Sequence, residues 1–298
     1  MRRLADCQNV IPKGIIWDPV NYSCAYDSLF TILYNIWERN PKLWQRRLKD
    51  IHCNLDLLCT GFERTLKKES TLEAARNRVR STMTHENPAY FPTGIAMTSI
   101  SRVVDAIIPT RTCGVLSLQC ENCHYQQASP LLHFGEYIEL TSTGRFFDDS
   151  ENMSLLSDIL GWQLNNRQRR SQVNCPECIL QQQLSKMCLT IDFERIPYLM
   201  VIGFSAPRYM IDWNLDYNIN DILFQFRLAG VVYGGQNHFV CRIVDDRGMI
   251  WYHDGIATGS GCLREGQLAD IAEQTSYLQT TDYDGQLKDA LYAIYIRD

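Results

Sequence analysis

The chain has 298 residues, of which 45% are hydrophobic and 21% are charged, and its net charge is −5. This composition is typical of a folded globular protein rather than a disordered one, and the acidic balance disfavours a general nucleic-acid binder. No stretch approaches the ~20 apolar residues of a membrane span, and no apolar segment follows the two arginines near the start. We therefore expect an intracellular protein, cytoplasmic or nuclear, that does not act at a membrane.

The first third of the chain is predicted to be helical. Residues 24–37 carry apolar side chains at helical spacing on a broad face, so this helix should be largely buried. Asn21 and Ser23 are both suitable caps for its start, and the Asn-Pro pair at 40–41 should end it. The further elements predicted here are amphipathic helices within 42–83, a loop at 85–94 and a helix at 95–108.

After Pro109 the sequence favours β-strands. Runs of β-branched and aromatic residues alternate with turn residues, and a short helix is predicted near 153–162. Turns are predicted at Gly234–Gly235 and at 246–248. Helices followed by strands in one continuous unit predict an α+β fold. The predicted strand segments lie within 111–120, 131–140, 186–204, 224–235, 238–255 and 290–298.

Four of the twelve cysteines form two close pairs, Cys120 with Cys123 and Cys175 with Cys178. A Cys-x-x-Cys turn aims two thiolates at one ion, and two such turns supply the tetrahedral sulfur set that suits Zn²⁺. All four positions would be filled, so we predict a structural zinc site rather than a catalytic one. One alternative is a chain whose thiols no longer hold metal. A disulfide-bonded secreted protein is another, which the length and the absent signal sequence disfavour.

Cys24 lies at the predicted start of a helix, where backbone N–H groups and the helix dipole favour a thiolate. A nucleophilic cysteine also needs a histidine base and a group that orients it. His238 follows a glycine-rich strand end, and Asp254 ends the next strand, where it could face His238 across a hairpin. The alternatives are an ordinary strand-end histidine with a turn aspartate, and His253 as a competing base.

Four segments, taken in order, resemble those of the ubiquitin-specific proteases, which are papain-like cysteine isopeptidases. "NYSCAYDSLFTIL" resembles their cysteine box, and "CENC" with "CPEC" resembles their zinc knuckles. "GGQNHFVCRIV" with "MIWYHDG" resembles their histidine box and its later aspartate, and "ALYAIYIRD" resembles their last strand. The resemblance implies one catalytic domain over 1–298, with a helical thumb at about 15–109, fingers at 110–195 and a palm at 196–298.

The resemblance also implies a mechanism and its partners. Cys24 would be the nucleophile, His238 the general base and acid, and Asp254 the residue that orients the imidazole. One structural Zn²⁺ would be held by the four paired cysteines. The expected activity is hydrolysis of the bond after the C-terminal Gly-Gly of ubiquitin or a ubiquitin-like modifier such as SUMO. The expected partners are that modifier and its conjugates, bound by a monomer, with no nucleic acid and no membrane.

The sequence departs from the family pattern at two positions near the cysteine. Pro19 stands where the family has its oxyanion asparagine, so Asn21 is the candidate replacement. Asp27 stands where asparagine is usual, which is similar to the divergent branch of SUMO isopeptidases. These departures leave open a catalytically impaired protein that binds ubiquitin or SUMO. A zinc-ribbon nucleic-acid module, with Arg169 and Arg170 near the knuckles, is a further alternative.

Overall fold

A computed structural model describes residues 11–109, 111–130, 137–140, 154–157, 168–204, 209–219, 222–270 and 279–297. The chain divides into two compact units. Unit 1 comprises Met1–Ile108 with Ala229–Tyr292, and unit 2 comprises Pro109–Leu228 with Ala293–Asp298. The first part of the predicted strand at 131–140 and most of the predicted helix at 153–162 lie outside the described residues.

Unit 1 contains five helices among its described residues, in the part of the chain predicted to be helical. The predicted helix at 95–108 is shorter than expected, because Ser99 accepts a hydrogen bond from the Arg102 backbone N–H and thereby caps its start. The helices are α1 (Cys24–Arg39), α2 (Pro41–Lys49), α3 (Cys53–Leu66), α4 (Leu72–Glu86) and α5 (Ile100–Ile107). No described helix of the chain is long and apolar enough to cross a membrane.

Helix α1 is the centre of the unit 1 core, and its residues 24–37 are all buried. Each fully buried Leu, Ile or Phe side chain contributes about 1.5–3 kcal/mol to the stability of the fold. Asn40 ends α1, and its side chain then accepts a hydrogen bond from the Leu43 backbone N–H while Pro41 begins α2. The Asn-Pro pair therefore ends one helix and starts the next.

Fifteen strands lie within the described residues. Their bounds are β1 (Gly114–Cys120), β2 (Gln126–Pro130), β3 (Tyr137–Leu140), β4 (Ser154–Leu155), β5 (Gln168–Asn174), β6 (Lys186–Phe193), β7 (Leu199–Phe204), β8 (Tyr209–Met210), β9 (Asn214–Ile219), β10 (Ile222–Gly235), β11 (His238–Val244), β12 (Met249–His253), β13 (Leu263–Gln267), β14 (Gln279–Thr281) and β15 (Leu287–Ile296). A 3₁₀ turn covers Leu268–Asp270, and helix α6 covers Pro176–Leu180.

In unit 1 the strands form a sheet in the order β13-β12-β11-β10-β15, with β14 paired to β15. Helix α1 packs against β11 in the middle of this sheet. The turn between β10 and β11 was predicted at Gly234–Gly235, and that prediction is wrong by two residues. Gln236 and Asn237 form the turn, both with positive φ, while Gly235 remains in the strand and pairs with His238.

Unit 2 contains a four-stranded antiparallel sheet in the order β2-β1-β6-β5. Its remaining strands include β3, which is parallel to β7, and β9, which is antiparallel to the first half of β10. At one end of the four-stranded sheet, Cys120 closes β1 and Cys175 follows β5. Strands β1 and β5, which both pair with β6, therefore bring the two cysteine pairs to the same end of this sheet.

Candidate active site and metal centre

Cys24 is the first residue of α1, and its side chain opens into a narrow cleft within unit 1. It is 7% exposed, and the carbonyl of Ser23 accepts hydrogen bonds from the Tyr26 and Asp27 N–H groups that follow. Free N–H groups of a first helical turn stabilise negative charge on a thiolate. The cleft is lined by Trp17, Cys24, Asp27, Ser28, His238, Phe239, Val240, His253 and Gly255.

His238 lies between Cys24 and Asp254. Its Nε2 is 3.1 Å from Asp254 Oδ1, and its ring lines the same cleft as Cys24. Burial alone would lower the pKa of His238, but the hydrogen bond to Asp254 and the neighbouring Cys24 side chain outweigh it and raise the pKa to about 9. The imidazolium is therefore the favoured form at neutral pH, which is the charge that stabilises a neighbouring thiolate.

Asp254 is held rigidly beside this imidazole. Its side chain is fully buried, and Oδ1 accepts a 2.9 Å hydrogen bond from the Ile256 backbone N–H as well as the bond from His238. Burial opposes ionisation of this carboxyl, but these hydrogen bonds prevail and its pKa lies below the usual range. Asp254 is thus a fixed anion that orients the His238 ring.

His253 is not placed to act as the base, although it lines the same cleft. Its Nε2 is 3.2 Å from the Ile15 carbonyl oxygen, and its Nδ1 is 3.0 Å from that of Gly261. Burial lowers its pKa. Both ring nitrogens lie within hydrogen-bond distance of backbone oxygens, and the neutral imidazole donates to one of them, which makes His253 part of the framework that ties β12 to the segment before α1.

Asn21 has partners that the sequence did not reveal. Its Nδ2 donates to Asp18 Oδ2 at 2.9 Å, and its Oδ1 accepts from the Gly94 backbone N–H at 3.0 Å. These two bonds connect the segment before α1 to Gly94. An amide nitrogen carries two N–H groups and Asp18 accepts one of them, so the role of Asn21 as an oxyanion donor stays a prediction.

A buried charge pair lies directly beneath the first turn of α1, and sequence analysis missed it. Arg76 Nη1 on α4 is 2.6 Å from Asp27 Oδ1, and both side chains are almost fully buried. The same nitrogen donates to the Ile16 carbonyl oxygen and to Ser23 Oγ, and Ser23 Oγ donates to Asp27 Oδ2. Burial raises the pKa of Asp27 to about 7, against the attraction of Arg76.

One sequence signal could have indicated that Arg76 is buried and has a partner. In α4 the buried apolar residues are Leu72, Ala75, Val79 and Met83, and Arg76 falls on the same face. A charged residue on an apolar helical face requires a buried partner. Its effect here is to connect α4 to the segment before Cys24 and to the first turn of α1.

The candidate metal centre in unit 2 consists of the four paired cysteines. Their sulfur atoms all lie within 4.8 Å of one another, with 3.7 Å between Cys120 and Cys178 and 3.5 Å between Cys123 and Cys175. Tetrahedral zinc with Zn–S bonds of about 2.3 Å places its sulfurs roughly 3.8 Å apart, which fits this geometry. The Cys123 backbone N–H and the Ser185 hydroxyl lower the pKa of Cys120 to about 6, so a thiolate ligand is favoured there.

The metal content of the protein tests this site. We expect about one zinc per chain, and we expect Cys178→Ser to lower it strongly because one of four ligands is lost. Cys53→Ser, at an exposed cysteine of unit 1, is the control and should keep the wild-type content. Elemental analysis of protein purified without added metal gives the answer; a folded, active and zinc-free wild type would refute a structural zinc.

The chain matches no protein-family model and no curated protein by sequence. Its fold does match solved structures of the SAGA DUB module of Ubp8, Sgf11, Sus1 and Sgf73. The comparison with the module bound to monoubiquitin gives a TM-score of 0.54 at 12% sequence identity. It covers 96% of this chain and 69% of the chain in that structure. The module bound to ubiquitin aldehyde gives a TM-score of 0.53 with the same identity and coverage. The protein therefore has a fold like that of the ubiquitin-specific proteases, with mixed helices and sheets and a cysteine cluster that could hold a metal ion.

Proposed function

We propose that the protein is a cysteine isopeptidase that hydrolyses the bond after the C-terminal Gly-Gly of ubiquitin or a ubiquitin-like modifier. The observation that carries the proposal is that Cys24 and His238 line one cleft, with Asp254 Oδ1 3.1 Å from His238 Nε2. A thiol at a helix start, a histidine and a buried carboxylate in this order are what nucleophilic acyl transfer requires. The fold supports a ubiquitin-related substrate, because its structural neighbours include ubiquitin complexes.

In the proposed reaction the Cys24 thiolate attacks the carbonyl carbon of the last glycine. The His238 imidazolium, held by Asp254, then gives its proton to the departing lysine amine. A thioester remains on Cys24, and His238 takes a proton from the water that hydrolyses it. The tetrahedral oxyanion would be held by the Cys24 backbone N–H and by the Asn21 amide.

We further propose which surfaces serve binding. The helices α1–α5 would form the thumb, and strands β7 to β15 the palm. The zinc-pinned strands β1, β2, β5 and β6 would form the fingers that hold the modifier's globular body. A narrow channel next to Cys24 would admit the small Gly-Gly tail and exclude larger side chains. We also propose that the protein acts as a monomer in the cytoplasm or nucleus.

The modifier is the first thing to determine. Ubiquitin and SUMO substrates that carry a fluorophore after Gly-Gly should be compared in parallel at equal concentration. We expect one of them to be turned over at least ten times faster than the other, with activity lost after treatment with iodoacetamide. Ubiquitin is favoured by the neighbouring structures, whereas Asp27 favours SUMO.

A catalytically impaired binding protein is the second candidate, and Pro19 is the observation that favours it. Proline has no N–H and no side-chain donor, so the usual oxyanion donor is missing. If folded, zinc-loaded protein binds a modifier but turns over none of the substrates in the parallel assay, the binding function replaces the isopeptidase.

A further inference from the structure

Lys288 is a buried lysine that the proposed mechanism does not use. It lies in β15, whose first residues alternate between exposed and buried, and it occupies a buried position between exposed Leu287 and Asp289. Its side chain is fully buried. Since removal of an ammonium group from water is strongly unfavourable unless it is paired, a lysine at this position requires partners that an apolar residue would not.

The partners of Lys288 lie on two different turns of unit 1. Its Nζ is 3.0 Å from Asp282 Oδ2 and also donates a short hydrogen bond to the Gly235 carbonyl oxygen. Gly235 is the last residue of β10 and pairs directly with His238. A Cβ at Gly235 would lie 3.1 Å from the Leu287 carbonyl oxygen, so the glycine permits β15 to approach this closely. One ammonium group thus joins the turn before His238 to a second turn.

That second turn, residues 282–286, is organised by Asp282. Asp282 Oδ1 accepts hydrogen bonds from the Asp284 and Gln286 backbone N–H groups, and Gly285 has the positive φ that the turn requires. We call residues 282–286 the Asp282 turn. Because Lys288 bonds the other carboxylate oxygen of Asp282, the lysine fixes the position of the whole turn.

The Asp282 turn carries Tyr283, which faces both His238 and Asp254. The Tyr283 ring packs edge-on against the His238 ring, with 6.1 Å between centroids and an interplanar angle of 85°. The Tyr283 backbone N–H faces the Asp254 carboxylate and lowers its pKa. Asp254 Oδ2 is buried, and no hydrogen bond to it is found within the described chain.

We propose that Lys288 is a positioning residue for the His238–Asp254 pair, because it holds the Asp282 turn and the end of β10 in one arrangement around it. The inference rests on the proposed function and deepens it. The charged and titratable groups that face the His238 ring are Cys24, Asp254 and Tyr283, and Asp282 faces Lys288.

Catalytic groups displaced by about 1 Å lose about 100-fold in rate, so Lys288→Met should lower kcat by roughly 10- to 100-fold with a smaller change in KM.

The test uses a small electrophile, so that it does not depend on the modifier. Alkylation of Cys24 by iodoacetamide should be followed from pH 6 to pH 10 by mass spectrometry of the peptide that contains it. An ordinary cysteine thiol is almost entirely neutral at pH 6 and ionised at pH 10, so a neighbouring imidazolium matters for alkylation mainly at the lower pH. We expect Lys288→Met to slow alkylation by about tenfold at pH 6 and to leave the rate at pH 10 within about twofold of wild type.

Two comparisons keep the test decisive. Lys67→Met removes an exposed lysine that pairs with Glu63, and its profile should match wild type. If Lys288→Met does not fold, the same alkylation profile should be measured on two variants of exposed Tyr283. Tyr283→Phe should retain the wild-type profile, and Tyr283→Ala should lose Cys24 reactivity at pH 6.

A Lys288→Met profile equal to wild type, or lowered by the same factor at every pH, would overturn the inference, as would equal behaviour of the two Tyr283 variants. A wild type that shows the expected profile but cleaves no modifier would contradict the proposed function and leave this inference intact.

Discussion

Replacement of Cys24 with alanine should abolish cleavage of a Gly-Gly substrate, with a fall in kcat of at least about 10⁴-fold, while the protein still binds the modifier. The reason is chemical: the thioester cannot form without the thiol, and loss of a nucleophile that acts as part of a hydrogen-bonded unit removes most of the rate enhancement. Substrate turnover and the Kd for the unmodified modifier should be measured on the same preparation.

Cys53 offers a matched control for this variant. It is also the first residue of a helix, and its sulfur lies 3.9 Å from His52 Nδ1. Unlike Cys24 it is exposed and does not line the cleft. Cys53→Ala should therefore keep the wild-type rate. A Cys24→Ala protein that cleaves as fast as wild type would show that the mechanism is wrong.

The second large effect is expected from Arg76→Met. This change removes the partner of Asp27 and leaves its carboxyl buried without a cation, so the free energy of unfolding at pH 8 should fall by about 3–5 kcal/mol. Equilibrium unfolding in urea measures this loss. The double variant Asp27→Asn with Arg76→Met should recover most of it, because neither charge remains.

The pH dependence of this loss follows from the sign of the Asp27 shift. Burial raises the pKa of Asp27 to about 7, above its value in the unfolded chain, so the folded protein binds this proton more tightly. The contribution of Asp27 to stability is therefore greatest below about pH 4 and is lost as the pH rises through 7. Without Arg76 the folded protein binds the Asp27 proton still more tightly, because no cation stabilises the carboxylate. Arg76→Met should therefore lower the free energy of unfolding less at pH 5 than at pH 8. An equal loss at both values, or a loss below about 1 kcal/mol at pH 8, would contradict this account of the pair.

The parts of the fold that could be predicted from the sequence are those set by local pattern. The apolar spacing of residues 24–37 placed α1 and its burial, and the paired cysteines predicted a cluster that the structure brings within 4.8 Å. Both depend on residues close together in sequence, where periodicity and ligand spacing are informative. The partnership of Cys24 with His238 was drawn from resemblance, since no local pattern connects residues so far apart in the chain.

The features that sequence analysis missed depend on tertiary contacts. The turn lies at Gln236–Asn237 rather than at the glycines, because Gly235 remains in the strand, where β15 approaches it closely. The amide of Asn21 meets Gly94, and Arg76 meets Asp27, across long separations that periodicity does not encode. Lys288 was likewise not singled out, because its partners are a backbone carbonyl and a turn aspartate.

The central claim is that Cys24 performs acyl transfer from a modifier that ends in Gly-Gly. The most direct test is to incubate the protein with ubiquitin and with SUMO that carry an electrophile in place of the C-terminal carboxylate, and to determine the intact mass and the modified peptide. We predict one covalent adduct per chain, located on Cys24 and absent from His238→Ala protein. No adduct with any Gly-Gly modifier, or an adduct on another cysteine, would contradict the account.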